Sequence, residues 1–170
     1  MTGEPTCEAL WATPGEDAFS ALFRRHEGLG VTMARKFART PQDAEDIAQE
    51  AWLRLFKRRA AGGHVASFRR LLAAAVIFGA RRHSETSPAV EHEEITDALA
   101  DPTENPETAA GFQQAINRMD DSPRRVFGLV IDQGHSVEEA AKVEGLSKRT
   151  AYRRLGEAME ILERALGRAA

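Results

Sequence analysis

The chain has 170 residues, 42% of them hydrophobic and 29% charged, with a formal net charge of -3. That apolar content suffices for buried cores, and the length suits one ordinary domain or two small ones. Cys7 is the only cysteine, which excludes an intramolecular disulfide, and nothing points to an oxidising compartment.

The longest apolar run, residues 71–80, reaches about half of the ~20 residues that a spanning helix needs, and arginine pairs flank it. No membrane insertion is expected. The start of the chain carries Thr2, Glu4 and Glu8 rather than a basic segment followed by an apolar one, so a secretory signal is not expected either. A cytoplasmic protein, monomeric when free, is the expectation. The net charge hides an uneven distribution, because residues 83–110 hold eight acids and no Lys or Arg. The rest of the chain carries all 23 basic residues against 18 acids, a net of +5, which suits a nucleic-acid partner.

Spacings of three and four recur along the chain and no segment alternates cleanly, so the fold class is all-α. Residues 1–15 read as an N-terminal tail. The first helix starts after Pro14-Gly15 and places Phe19, Leu22, Phe23, Leu29, Met33 and Phe37 on a core face, with Gly28 and Gly30 weakening its middle. The second helix has a clear start, with Thr40 as cap, Pro41 at the first helical position and Asp43 in the first turn. Its buried stripe is Ala44, Ile47, Ala48, Ala51 and Leu55. Residues 60–67, with Gly62-Gly63, form a loop before a third helix bearing Phe68, Leu71, Leu72, Ala75 and Val76. These elements make a first small domain over 16–83.

Residues 84–110 contain three prolines and no aromatic, and read as a flexible acidic linker. Its 27 residues reach roughly 90 Å when extended and average about 30 Å as a coil, enough to serve two separated DNA sites. A second helical domain follows over 111–170.

The strongest pattern is residues 136–155, SVEEAAKVEGLSKRTAYRRL. Ser136 and Glu139 form a capping box, Gly145 permits a turn and Ser147 caps the next helix, which is the spacing of a helix-turn-helix. The second helix carries Lys148, Arg149, Thr150, Tyr152, Arg153 and Arg154 before its first acid, Glu157. Arg149, Arg153 and Arg154 suit bidentate contact with guanine, and Lys148 suits a phosphate. The plain alternative is a solvated helix face in a bundle.

A second basic zone, residues 52–82, holds Arg54, Lys57, Arg58, Arg59, Arg69, Arg70, Arg81 and Arg82 and no carboxylate, with Phe68 and Phe78 among them. Cations beside aromatics suit a single strand, because charges follow phosphates and rings stack on unpaired bases. Phe78 reads as core, and for Phe68 both core and stacking remain open. Asp43, Asp46 and Glu50 share a third face, early acids that complement the helix dipole and can dock a basic partner. No His or Cys joins them at ligand spacing, so neither a metal nor a cofactor is expected.

Together these segments resemble the extracytoplasmic-function (ECF) sigma factors over about residues 19–166, most clearly in DAEDIAQEAWLRLF, residues 43–56. The resemblance implies two helical domains, sigma region two and sigma region four, and a partner in core RNA polymerase. It assigns Asp43, Asp46, Gln49 and Glu50 to the polymerase clamp helices. It also implies that residues 60–67 capture a flipped base of the minus-ten element, with His64, Phe68, Arg69, Arg70, Arg81 and Arg82 on promoter DNA. The 148–154 helix then reads the minus-thirty-five element, the acidic connector lies near nascent RNA, and an anti-sigma factor is a further partner. Pro41-Gln42-Asp43 and Arg149-Thr150 resemble the iron-starvation group.

The sequence departs from the family pattern at Ala74, Ala75 and Gly79, where an Arg-Asn pair and a later Asp are usual, at Ala140 and Ala151 in place of larger aliphatics, and at Glu157 in place of Arg. A sigma-like mimic that binds only an anti-sigma protein is the competing reading, but it has no need of cationic DNA surfaces. An enzyme is disfavoured, since no nucleophile-base pair, phosphate loop or metal cluster is visible.

Overall fold

A computed structural model of the protein describes residues 3–84 and 106–167, so the acidic linker lies largely outside the described residues. The described chain is all helix and turn, with α1 (Cys7–Ala12), α2 (Glu16–Ala34), α3 (Pro41–Ala60) and α4 (Phe68–Ser84) in the first half. The second half holds α5 (Pro106–Arg118), α6 (Asp121–Phe127), a π-helical turn (Gly128–Asp132), α7 (Val137–Glu144) and α8 (Lys148–Gly167).

Within the expected N-terminal tail, Cys7–Ala12 form a helix. Thr6 caps α1 by accepting from the Ala9 N–H at 3.1 Å, and Leu10 and Trp11 are buried. Trp11 Nε1 donates to the Gly63 carbonyl at 2.7 Å, Arg59 donates to the Trp11 carbonyl at 3.0 Å, and Glu8 accepts from the Phe68 N–H at 3.1 Å. The last contact caps the start of α4. A helix of under two turns shows no period in sequence, and the hydrogen-bond partners of Glu8 and Trp11 lie 48 to 60 residues away.

The first domain closes around α2, α3 and α4. The expected stripe of α3 is buried throughout, and the Thr40–Asp43 capping box forms in both directions, at 3.1 and 3.2 Å. α2 runs unbroken through Gly28 and Gly30, because at Gly30 the indole of Trp52 fills the space a side chain would take. The departures on α4 have a packing reason. Ala74 and Ala75 are buried, and a Cβ on Gly79 would stand 3.0 Å from the Ile47 carbonyl oxygen, so small residues let α4 lie close on α3.

In the second domain α8 is the central element, with α5, α6 and α7 against it. Ala140 and Ala151 are fully buried, in two helices, α7 and α8, that pack on each other. The two domains also meet, with α4 against the π-helical turn and α8, and α2 against α8.

Candidate polymerase and DNA surfaces

On the α2–α3 side lies a groove of about 530 Å³ whose walls include Phe19, Phe23, Asp46, Gln49, Leu53 and Phe56. Phe23 is 38% exposed, Leu53 51% and Phe56 47%, which is unusual for such large apolar side chains grouped on one surface. Phe23 therefore belongs to this surface and not to the core face expected for it. Leu53 and Phe56 stand off the buried stripe of α3 and continue the row through Gln49, a spacing that is visible in the sequence.

The four acidic and amide residues expected to dock a partner divide. Asp46 and Gln49 line the groove, and Asp46 accepts from Gln42 at 3.2 Å. Asp43 and Glu50 turn toward α4 instead, where Asp43 lies 3.3 Å from His83 and Glu50 lies 3.5 Å from Arg82, while Glu50 also pairs with Arg54 of its own helix at 3.4 Å. Desolvation raises the Asp43 carboxyl, and donation from Arg39 N–H, His83 and Thr40 N–H more than reverses it, holding the group below its ordinary range.

The basic zone on α4 is not the open, uncompensated face that its sequence suggests. Phe68 is fully buried, with ring centroids of Trp11, His26 and Trp52 at 5.9, 5.3 and 6.0 Å, so it is a core residue and offers no face to a base. Its position at the first turn of α4 puts it under α1, which the sequence did not reveal. Arg70 makes a two-pronged ion pair with Asp132 at 2.7 and 3.0 Å, and Arg81 pairs with Glu163 at 3.3 Å. Phe78 is half-buried, with the Arg81 guanidinium 5.9 Å from its ring centre. Of the residues expected at the minus-ten element, His64 is exposed on the 61–67 loop, while its carbonyl accepts from Arg58 at 3.1 Å.

Arg69 enters a seam between the domains, in a cavity of about 550 Å³ shared with Cys7, Arg25, His26, Gly134 and Tyr152. His26 is the buried polar residue of the core, and its Nε2 lies 3.0 Å from Cys7 Sγ. Burial, reinforced by Arg69 and Arg25, lowers the His26 pKa to about 4, while burial raises that of the Cys7 thiol.

The helix-turn-helix is built as its sequence implies. Ser136 and Glu139 satisfy each other at 3.1 and 2.8 Å, Gly145 turns the chain at φ +66°, and Ser147 Oγ accepts from the Thr150 N–H at 3.1 Å. Thr150 also accepts from the Ser147 hydroxyl at 2.9 Å, so it serves the start of α8. Lys148, Arg149, Tyr152 and Arg153 are exposed, and Arg154 is half-buried. Glu157 draws in Arg154 at 2.9 Å and Arg153 at 3.8 Å, and Tyr152 donates to Glu138 at 2.7 Å. The buried Nε of Arg154 has no hydrogen-bond partner.

Residues 22–76, from α2 into α4, match the family model for Sigma-70 region 2. Over 155 residues the chain is 31% identical to the ECF RNA polymerase sigma factor SigM of Mycobacterium tuberculosis, in each of two strains, covering 88% of this chain and 78% of the relative. The chain belongs to the ECF sigma factor family. Among solved structures, CnrH in complex with the cytosolic domain of CnrY aligns over 96% of this chain and 97% of that one, at 23% identity and a TM-score of 0.41. In this sigma factor the groove residues from Phe23 to Phe56 fall inside the region-two match, whereas the helix-turn-helix lies beyond it. Among the described residues no helix is long and apolar enough to cross a membrane.

Proposed function

We propose that this ECF sigma factor docks core RNA polymerase on the α2–α3 groove and selects promoters with the helix-turn-helix, α8 reading the minus-thirty-five element. The observation that carries the reading is the first turn of α8, where Lys148 and Arg149 stand exposed immediately after a capped turn. Arg149 is the foremost base reader, since Glu157 engages both Arg153 and Arg154. The groove supports the polymerase contact, because exposed aromatics bordered by Asp46, Glu45 and Glu27 suit a basic amphipathic helix. The minus-ten contact rests on His64 and the α4 arginines. An anti-sigma factor is the expected regulator, and the cytoplasm the expected compartment. The iron-starvation subgroup is carried only by Arg149-Thr150, since Pro41 and Asp43 answer to the capping of α3.

Pull-down with purified core polymerase and transcription from a randomised promoter pool test this reading together. Asp46→Arg with Leu53→Ser changes groove residues and spares Glu50, whose reversal would also disturb Arg54 and Arg82. This double variant is expected to remain helical and lose polymerase, and undiminished binding would exclude the groove. A wild-type protein that binds polymerase yet transcribes from no promoter, while gripping an anti-sigma partner, would instead be the sigma-like mimic.

A further inference from the structure

Three of the four arginines of α4 are answered by carboxylates, Arg70 by Asp132, Arg81 by Glu163 and Arg82 by Glu50. Arg69 is not. Its guanidinium forms no ion pair or hydrogen bond among the described residues, although the side chain is half-buried and enters the cavity of about 550 Å³. Withdrawing a cation from water without a counter-charge is costly, and an anion in the cavity would offset that cost.

The chain makes room for this guanidinium. Gly134 holds φ +81°, and a Cβ there would stand 2.5 Å from Arg69 Nη1 and 2.6 Å from Nη2, so the flat group lies against bare backbone. Arg25 is a second cation of the lining. It donates to the Pro5 carbonyl at 2.7 Å, and its ion pair at 3.5 Å is with Glu4, a side chain 89% exposed to solvent. α7 starts at the same wall with Val137, so the positive end of its dipole adds to the two arginines. The nearby acids of that helix are engaged, Glu138 by the Tyr152 hydroxyl at 2.7 Å and Glu139 by the Ser136 N–H at 2.8 Å. His26 registers the field, since burial first, then Arg69 and Arg25, lower its pKa against the opposing charge of Glu8. Leu29, Val130 and Val137 give the lining an apolar part.

We propose that this cavity binds a small organic anion, a carboxylate or phosphate monoester of metabolite size, gripped by the fork of Arg69 and by Arg25. Paired oxygens of either group match a guanidinium with two parallel hydrogen bonds. A cavity of this volume with few polar groups and an apolar part suits a small molecule. Its walls come from α1, α2 and α4 on one side and from the π-helical turn, α7 and α8 on the other, whereas a DNA strand needs an open cationic track. The assignment takes Arg69 out of the promoter contacts and leaves the other readings as they stand.

The test is isothermal titration of the full chain with inorganic phosphate, succinate and phenyl phosphate at constant ionic strength, with chloride as the reference anion. Saturable one-to-one binding is expected, tightest for phenyl phosphate, whose ring can meet the apolar part of the lining. Arg69→Gln is expected to weaken it by about tenfold or more, the loss that follows removal of hydrogen bonds to a charged group. Arg69→Lys, which keeps the charge and loses the fork, is expected to fall between the two. Arg118→Gln removes one charge from the exposed end of α5 and is expected to change affinity by less than about twofold, since such charges are screened. By NMR the His26 ring is expected to titrate at higher pH when phosphate is bound, because the anion offsets the two arginines. Binding of phosphate without succinate would assign the site to phosphate esters, and the reverse to carboxylates. No saturable binding of any of the three anions, or binding that Arg69→Gln leaves unchanged in a folded variant, would overturn the site. So would a short single-stranded DNA that binds through Arg69 and that none of the anions displaces, which would return Arg69 to the promoter.

Discussion

On α4, Arg70, Arg81 and Arg82 each hold a carboxylate, whereas on the first turn of α8 Lys148 and Arg149 form no ion pair among the described residues. Both stretches are cationic, and both lie on helices of similar length. The difference is position. α4 is enclosed by α3 on one side and by the second domain on another, so carboxylates from two directions reach it. α8 begins at a tight turn whose neighbouring acid, Glu138, is taken by Tyr152. Charge on α4 is thus balanced within the fold, whereas charge on the first turn of α8 faces solvent.

The largest effect is expected at Phe68. A core role requires that Phe68→Ala destabilise the first domain by about 3–5 kcal/mol, read by urea unfolding. A variant as stable as the wild type but poor at opening promoters would return Phe68 to the DNA surface.

His26, packed on Phe68, gives the next largest effect. Its folded pKa of about 4 lies below the ordinary 6.5, so between these values the unfolded chain binds the proton that the folded chain refuses. Stability from this group is therefore complete above pH 6.5 and is lost as pH falls toward 4, by about 2–3 kcal/mol. Comparing chemical melts at pH 7 and pH 4.5 for wild type and His26→Gln checks the sign: the glutamine variant should lose less on acidification.

On α8 the expected effects are functional. Arg149→Ala should cost about 1–3 kcal/mol and relax preference at one upstream promoter position, with the melting temperature nearly unchanged. Promoter-library transcription with reconstituted holoenzyme shows whether selection changes at a single position, and an unaltered profile would remove Arg149 from base reading. The smallest effect belongs to Lys148→Ala, which should weaken all sequences alike and lower the salt slope of binding by about one. A sequence-dependent loss there would make Lys148 a reader.

The helix-turn-helix was legible because the contacts that start and turn its helices are local: Ser136 with Glu139, Gly145 at the turn, and Ser147 with Thr150 all lie within a few residues. The same holds for the start of α3 and its buried stripe, where period and capping speak through adjacent turns. The sequence by itself thus determined the all-helical class, the extent of α3 and the start of α8, but not that Glu157 would engage Arg153 and Arg154. Tertiary structure alone decided what the isolated segments could not encode. Phe68 became core because α1, sixty residues earlier at Glu8, closes over it. Phe23, Leu53 and Phe56 became a surface because no other described element covers the α2–α3 groove. Arg70 and Arg81 lost their apparent freedom to acids 62 and 82 residues away, since charge balance is settled by distance in space and not along the chain.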